Sequence, residues 1–268
     1  MVSGTVKLLL RFHQLSELVL VMDYKQDLKH IFECFSKLHN LRKLRIEARP
    51  LTYPNLPNPD VINDLGKILG ANLNLTHFEL VHPGVRSGMS FPAIFGHIPA
   101  SSPLKLEHLD IHNTGFPESN TDIRAIIPHI RSLTSIHLAY PLHVGLIRLL
   151  HSERIFPPII RTTLFYNQPI TELIHYLNDH PGIISFSVPR ACFADPLRSW
   201  TSLLEIMARH SKSLTHFSTE IMTFSLSRRL WNVQNELLFL QCTKLERLVL
   251  NPSFGFYCED YVVSEQST

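Results

Sequence analysis

Apolar and polar residues alternate in a six-residue frame that returns along the chain. An aliphatic residue opens it, apolar residues take positions four and six, and mostly polar ones take three and five, as in "LEHLDI" from Leu106. The same frame reads "LSELVL" from Leu15, "LRKLRI" from Leu41, "LTHFEL" from Leu75, "LTSIHL" from Leu133, "IISFSV" from Ile183 and "LERLVL" from Leu245. Two copies are weaker: "IIRTTL" from Ile159 puts Thr162 where an apolar residue belongs, and "LTHFST" from Leu214 ends on Thr219. From Leu15 to Leu245 is 230 residues over eight intervals, a mean just under 29. Repetition at that period marks stacked structural units, and alternation within each hexad predicts a strand with one apolar and one polar face.

Between hexads the period changes. Leu28, Ile31, Phe32 and Phe35 fall at i, i+3, i+4 and i+7, as do Ile123, Ile126, Ile127 and Ile130, and Ile170, Leu173, Ile174 and Leu177. Leu197, Trp200, Leu204 and Met207, then Leu230, Val233, Leu237 and Leu240, supply two more apolar stripes. Each predicts an amphipathic helix. Pro128 is expected to kink or shorten the second, and Pro181 with Gly182 to stop the third. The predicted unit is a short strand and a helix, stacked so that the strands form a parallel sheet. The alternative is a purely helical repeat with the hexads at helix ends.

These repeats resemble the leucine-rich repeat family, specifically the ribonuclease-inhibitor-like class with a helix in each repeat. The resemblance implies an α/β solenoid of about 8–9 irregular repeats, sheet on the concave side and helices on the convex side. The chain is also similar in style to irregular fungal F-box leucine-rich proteins. The family carries an asparagine or cysteine three positions after the hexad, but Asp23, Arg49, Pro83, Thr114, Pro141 and Ser253 stand there. Those turns must satisfy their backbone otherwise, and an irregular arc is expected. Residues 1–253 form the predicted solenoid; "FGFYCEDYVV" in residues 254–268 is expected to cap its end, with a disordered tail beyond.

In a strand, hexad positions three and five face away from the core, so successive repeats should align them as two columns about 4.8 Å apart. Position three reads Glu17, Lys43, His77, His108, Ser135, Ser185, His216 and Arg247; position five reads Val19, Arg45, Glu79, Asp110, His137, Ser187, Ser218 and Val249. Such a polar, charge-graded face suits protein recognition. Two long strand-to-helix connections, residues 48–60 and 81–92, are expected to form a recognition rim with Tyr53, His82, Arg86 and Phe91 as anchors. Lys43, Arg45, His77, Glu79, His108, Asp110 and His137 would be its floor. His77, His108 and His137 are metal-ligand types, but an open sheet offers no closed cage, so neither a metal nor a catalytic site is expected. Titration of these histidines would make binding pH-sensitive.

Composition narrows the partners. A formal charge of +2 gives no general case for nucleic acid or an anionic membrane. Cys34, Cys192, Cys242 and Cys258 show no C-x-x-C spacing, which predicts reduced thiols in the cytoplasm or nucleus. Leu8, Leu9 and Leu10 are too short a run for a signal peptide, and no window approaches the roughly 18 apolar residues of a membrane span. No cofactor motif is present. The leading expectation is a non-enzymatic protein-binding scaffold. The alternatives are the substrate-recognition part of a ubiquitin-ligase F-box receptor, binding its adaptor through a segment not seen before Leu15, and a histidine–carboxylate hydrolase.

Overall fold

Burial decides what the hexads become. In the computed structural model, positions four and six are sealed from water in repeat after repeat: Leu44 and Ile46, Phe78 and Leu80, Leu109 and Ile111, Ile136 and Leu138. An alternating segment meets that demand only when extended, with one face on the core. The structure describes residues 14–23, 35, 37–49, 59–85, 91–114, 123–139, 143–164, 171–191, 196–221 and 233–252. Within them lie nine parallel strands alternating with helices, a repeat arrangement consistent with a solenoid and excluding the all-helical alternative. The chain forms two compact units, Met1–Phe156 and Pro157–Thr268.

The first unit holds β1 (Glu17–Asp23), β2 (Lys43–Arg49), β3 (His77–Val85), β4 (His108–Thr114) and β5 (Ser135–Ala139), paired in sequence order. Its helices are α1 (Pro59–Ala71), α2 (Phe91–Phe95), a 3-10 turn (Arg124–His129) and α3 (His143–Ser152). Leu65, Ile68 and Leu69 of α1 and Ile94 and Phe95 of α2 are buried, and the Phe95 ring meets the edge of Phe78 at 6.2 Å. The helices therefore cover the apolar sheet face. Gly66 allows α1 to lie against α2, since a Cβ there would stand 2.6 Å from the Ala93 carbonyl oxygen. The predicted second helix is the 3-10 turn, shortened around Pro128 as its missing N–H requires, with Ile123, Ile126 and Ile130 buried.

The second unit holds β6 (Ile159–Leu164), β7 (Ser185–Ala191), β8 (His216–Ile221) and β9 (Arg247–Pro252), with α4 (Thr171–Asp179), α5 (Pro196–Arg209) and α6 (Val233–Leu240). Trp200, Leu203, Leu204 and Met207 of α5 pack into its core, with Trp200 6.3 Å from the Phe217 ring. The predicted stripe of Val233, Leu237 and Leu240 does not: all three are exposed.

One backbone detail recurs and corrects a predicted frame. The carbonyl at hexad position two accepts the N–H groups of positions two and three of the next repeat. Ser16 takes Arg42 and Lys43 at 2.7 and 3.0 Å, Thr76 takes Glu107 and His108, and Ile184 takes Thr215 and His216. Pro158 plays this part for Ile184 and Ser185, so Pro158, not Ile160, is position two of the sixth repeat. The register agrees, with Ile159 opposite Ser185 and Ile160 opposite Phe186. The hexad thus starts at Pro157 and places Thr162 at position six, fully buried, as Thr219 is in β8.

The missing asparagine of the strand-to-helix turn has a counterpart on the other side of the strand. Three or four residues before the hexad, a buried polar side chain bonds backbone of the preceding repeat. Asn72 accepts the Leu41 N–H at 2.9 Å and donates to the Leu38 and Ile68 carbonyls at 2.8 Å each. His129 Nδ1 accepts the Leu104 N–H at 3.1 Å. His180 Nε2 donates to the Pro157 carbonyl at 3.0 Å while its Nδ1 accepts the Gly182 N–H at 3.1 Å. His210 Nε2 bonds the Leu177 carbonyl at 2.8 Å. Orphaned buried amides and carbonyls are costly, and these side chains remove them.

Candidate protein-binding face

The columns expected from the hexads exist in the first unit. Position three aligns Glu17, Lys43, His77, His108 and Ser135, and position five aligns Val19, Arg45, Glu79, Asp110 and His137, each opposite the next in register. Parallel pairing without a slip at these positions puts like hexad positions side by side, so side chains 26 to 34 residues apart in sequence become neighbours.

Charges in these columns neutralise one another across strands. Arg45 Nη1 donates to Glu79 Oε2 at 2.8 Å, and Nη2 to Glu47 Oε2 at 3.0 Å on its own strand. These carboxylates push the Arg45 pKa still higher, Glu47 through its hydrogen bond most, against a partial loss from burial. The other oxygen of Glu79 stands 3.5 Å from His108 Nε2. Burial is the main influence on His108 and holds its pKa below the usual imidazole value. Glu79 and Asp110 oppose that shift; His77 and His137 reinforce it. The His77 and His108 rings lie 5.7 Å apart, and Thr76 Oγ1 pairs with His77 Nδ1 at 2.9 Å. Asp110 and His137 face each other at 3.0 Å, both buried. Lys43 and Glu17, both well exposed, stand 3.8 Å apart, a separation at which a surface pair contributes about 0–1 kcal/mol.

Several predicted anchors are placed differently. Phe91 is in the core, stacked on Phe95 at 6.0 Å between ring centres, because the expected loop is helical from Phe91 onward. Its ring is not available to a partner. The same connection begins as strand, since β3 runs to Val85 and so includes the His82 backbone. Tyr53, Arg86 and the His82 side chain lie outside the described residues. Asp110 and His137 were expected on an open surface, but neighbouring strands bury them. Val19 faces outward, as its place in the position-five column implies; sequence reasoning named neither it nor Val21 as a contact residue, and both are exposed on this face beside Arg45 and Glu47. The alternation at Glu17, Val19 and Val21 carried the signal for Val21, obscured because the hexad frame ends at Leu20.

Among the described residues, no group of three His, Cys, Asp or Glu side chains converges as a metal site would, and no helix is long and apolar enough to cross a membrane. A scan against protein-family models finds no match to the chain, and a search of curated proteins finds none either.

Proposed function

We propose that the protein is a non-enzymatic leucine-rich-repeat scaffold of the ribonuclease-inhibitor-like kind that captures another protein on the outward sheet face of β1 to β3. The observation that carries this reading is the pairing of exposed aliphatic side chains, Val19 and Val21, with a rigid field of in-register charges at Glu17, Lys43, Arg45, Glu47 and Glu79. Aliphatic side chains grouped on one exposed sheet face offer apolar area that a partner can cover. The surrounding charges, held by their neighbours, set register and exclude wrong partners. The buried Asp110–His137 pair braces this platform from the β4–β5 side and is poorly placed to meet a substrate, which speaks against the hydrolase.

Reversing Glu79 and Asp110 is a poor probe, because one is the anchor of Arg45 and the other is buried against His137; that change is expected to lower stability. The better variant joins Val19→Lys, Val21→Lys and Lys43→Glu, all at exposed positions. Affinity purification with native and variant chains is expected to yield a partner retained by the first and lost by the second, at an unchanged urea midpoint. Identical partner sets on both chains would overturn the reading. Recovery of a cullin-ligase adaptor with both would favour the ubiquitin-ligase receptor instead.

A further inference from the structure

The outward sheet face of the second unit carries cations without their counter-charges. Position three of β6 to β9 reads Ile159, Ser185, His216 and Arg247, and position five reads Arg161, Ser187, Ser218 and Val249, each residue opposite the next in register. Neither row contains a carboxylate. In the first unit the same two positions set Lys43 against Glu17 and Arg45 against Glu79. Arg161 and Arg247 are exposed, and neither forms an ion pair among the described residues. An acid occurs farther along the strands, where Glu220 lies two residues beyond Ser218 on β8, opposite Asn251.

We propose that this face is a second binding site, for an extended acidic segment of a partner protein, with Arg161 and Arg247 receiving a carboxylate at each end. The two arginines are three strand spacings apart and offset by two residues, so their Cα atoms stand about 16 Å apart. An extended peptide advances about 3.3 Å per residue, which sets the two acidic residues about five apart. Between the arginines lie Ser185, Ser187, Ser218 and His216. Hydroxyls donate to carbonyls and accept from N–H groups, so this floor can meet a peptide backbone. Thr215 Oγ1 holds the His216 ring at Nδ1, 2.7 Å away. Ile159, 42% exposed beside Ser185, adds an apolar contact at one end. Arginine suits the ends, because its planar guanidinium takes a carboxylate through two parallel hydrogen bonds. Nucleic acid fits less well: two cations so far apart leave most of its closely spaced phosphates uncompensated.

Fluorescence anisotropy with the full chain tests this, using labelled serine–glycine peptides of about ten residues, enough to span the face, that carry two glutamates. Peptides with the glutamates about five residues apart are expected to bind at least about tenfold more tightly than the same peptides with glutamine, and more tightly than peptides with adjacent glutamates. Arg161→Glu with Arg247→Glu should transfer the preference to peptides with lysine in place of glutamate, at an unchanged urea midpoint because both side chains are exposed. Arg161→Gln with Arg247→Gln should lose the preference without that transfer, and it keeps the test decisive if charge reversal lowers stability. Equal binding of glutamate and glutamine peptides by the native chain overturns the proposal, as does an undiminished preference in the glutamine variant. Tighter binding of an oligothymidylate of equal length, lost in the same variant, would assign the face to nucleic acid and overturns it too.

Discussion

Acid should loosen the second unit through His180 and His210. Both are buried, both bond backbone of the preceding repeat, and their rings meet edge to face at 5.9 Å. Because the Gly182 N–H donates to His180 Nδ1, the proton of the neutral ring must sit on Nε2, facing the Pro157 carbonyl. A second proton would put two donors face to face at Nδ1. Burial, the largest influence, lowers the pKa of both histidines; the carbonyl bonds oppose it, and His210 beside His180 and Arg209 beside His210 add to the lowering. With folded pKa values below the unfolded value near 6.5, the unfolded chain takes up protons first. The stability that neutral histidines support is complete above about pH 6.5 and declines as pH falls toward the folded pKa values. The limiting slope is about 1.4 kcal/mol per histidine per pH unit, so both together can remove no more than about 3 kcal/mol between pH 7.5 and 5.5. Against a domain stability of about 5–15 kcal/mol, that loss is large enough to measure and too small to unfold the unit outright. Urea titrations followed by the emission of buried Trp200, with Trp231→Phe to isolate it, report the relevant unit. Replacing His180→Gln and His210→Gln should lower stability at pH 7.5 and flatten its pH dependence. If the double variant keeps the native slope, the reasoning is wrong.

Two further outcomes follow from the same packing, each read as a shift in urea midpoint. Asn72→Ala should destabilise the first unit by about 2–5 kcal/mol, because the Leu41 N–H and Leu38 carbonyl lose a buried partner at once; a loss below 1 kcal/mol would mean that water replaces the amide. Thr219→Val should stabilise the second unit by about 1 kcal/mol, since the buried Thr219 hydroxyl meets no hydrogen-bond partner among the described residues and valine has nearly its shape. A destabilised Thr219→Val protein would show that the hydroxyl is bonded.

Alternation within a hexad is a local property, and so is the 3.6-residue stripe of a helix. The sequence alone therefore determined the strand–helix repeat, the two outward columns from Glu17 to His137, and the shortening of the turn at Pro128. Which of two adjacent isoleucines faces the core is not local. Ile159 and Ile160 read alike, and only pairing with Ser185 and Phe186 turned the first outward and the second in. Nor could composition say that Asp110 and His137 would bury each other, that Phe91 would start a helix beneath β3, or that four polar residues before the hexads would bond the backbone of the preceding repeat. The stripe on α6 marks the limit most clearly. Its spacing specifies an apolar face, but burying that face requires a neighbour, and neighbours separated by about thirty residues of chain are assigned by tertiary packing alone.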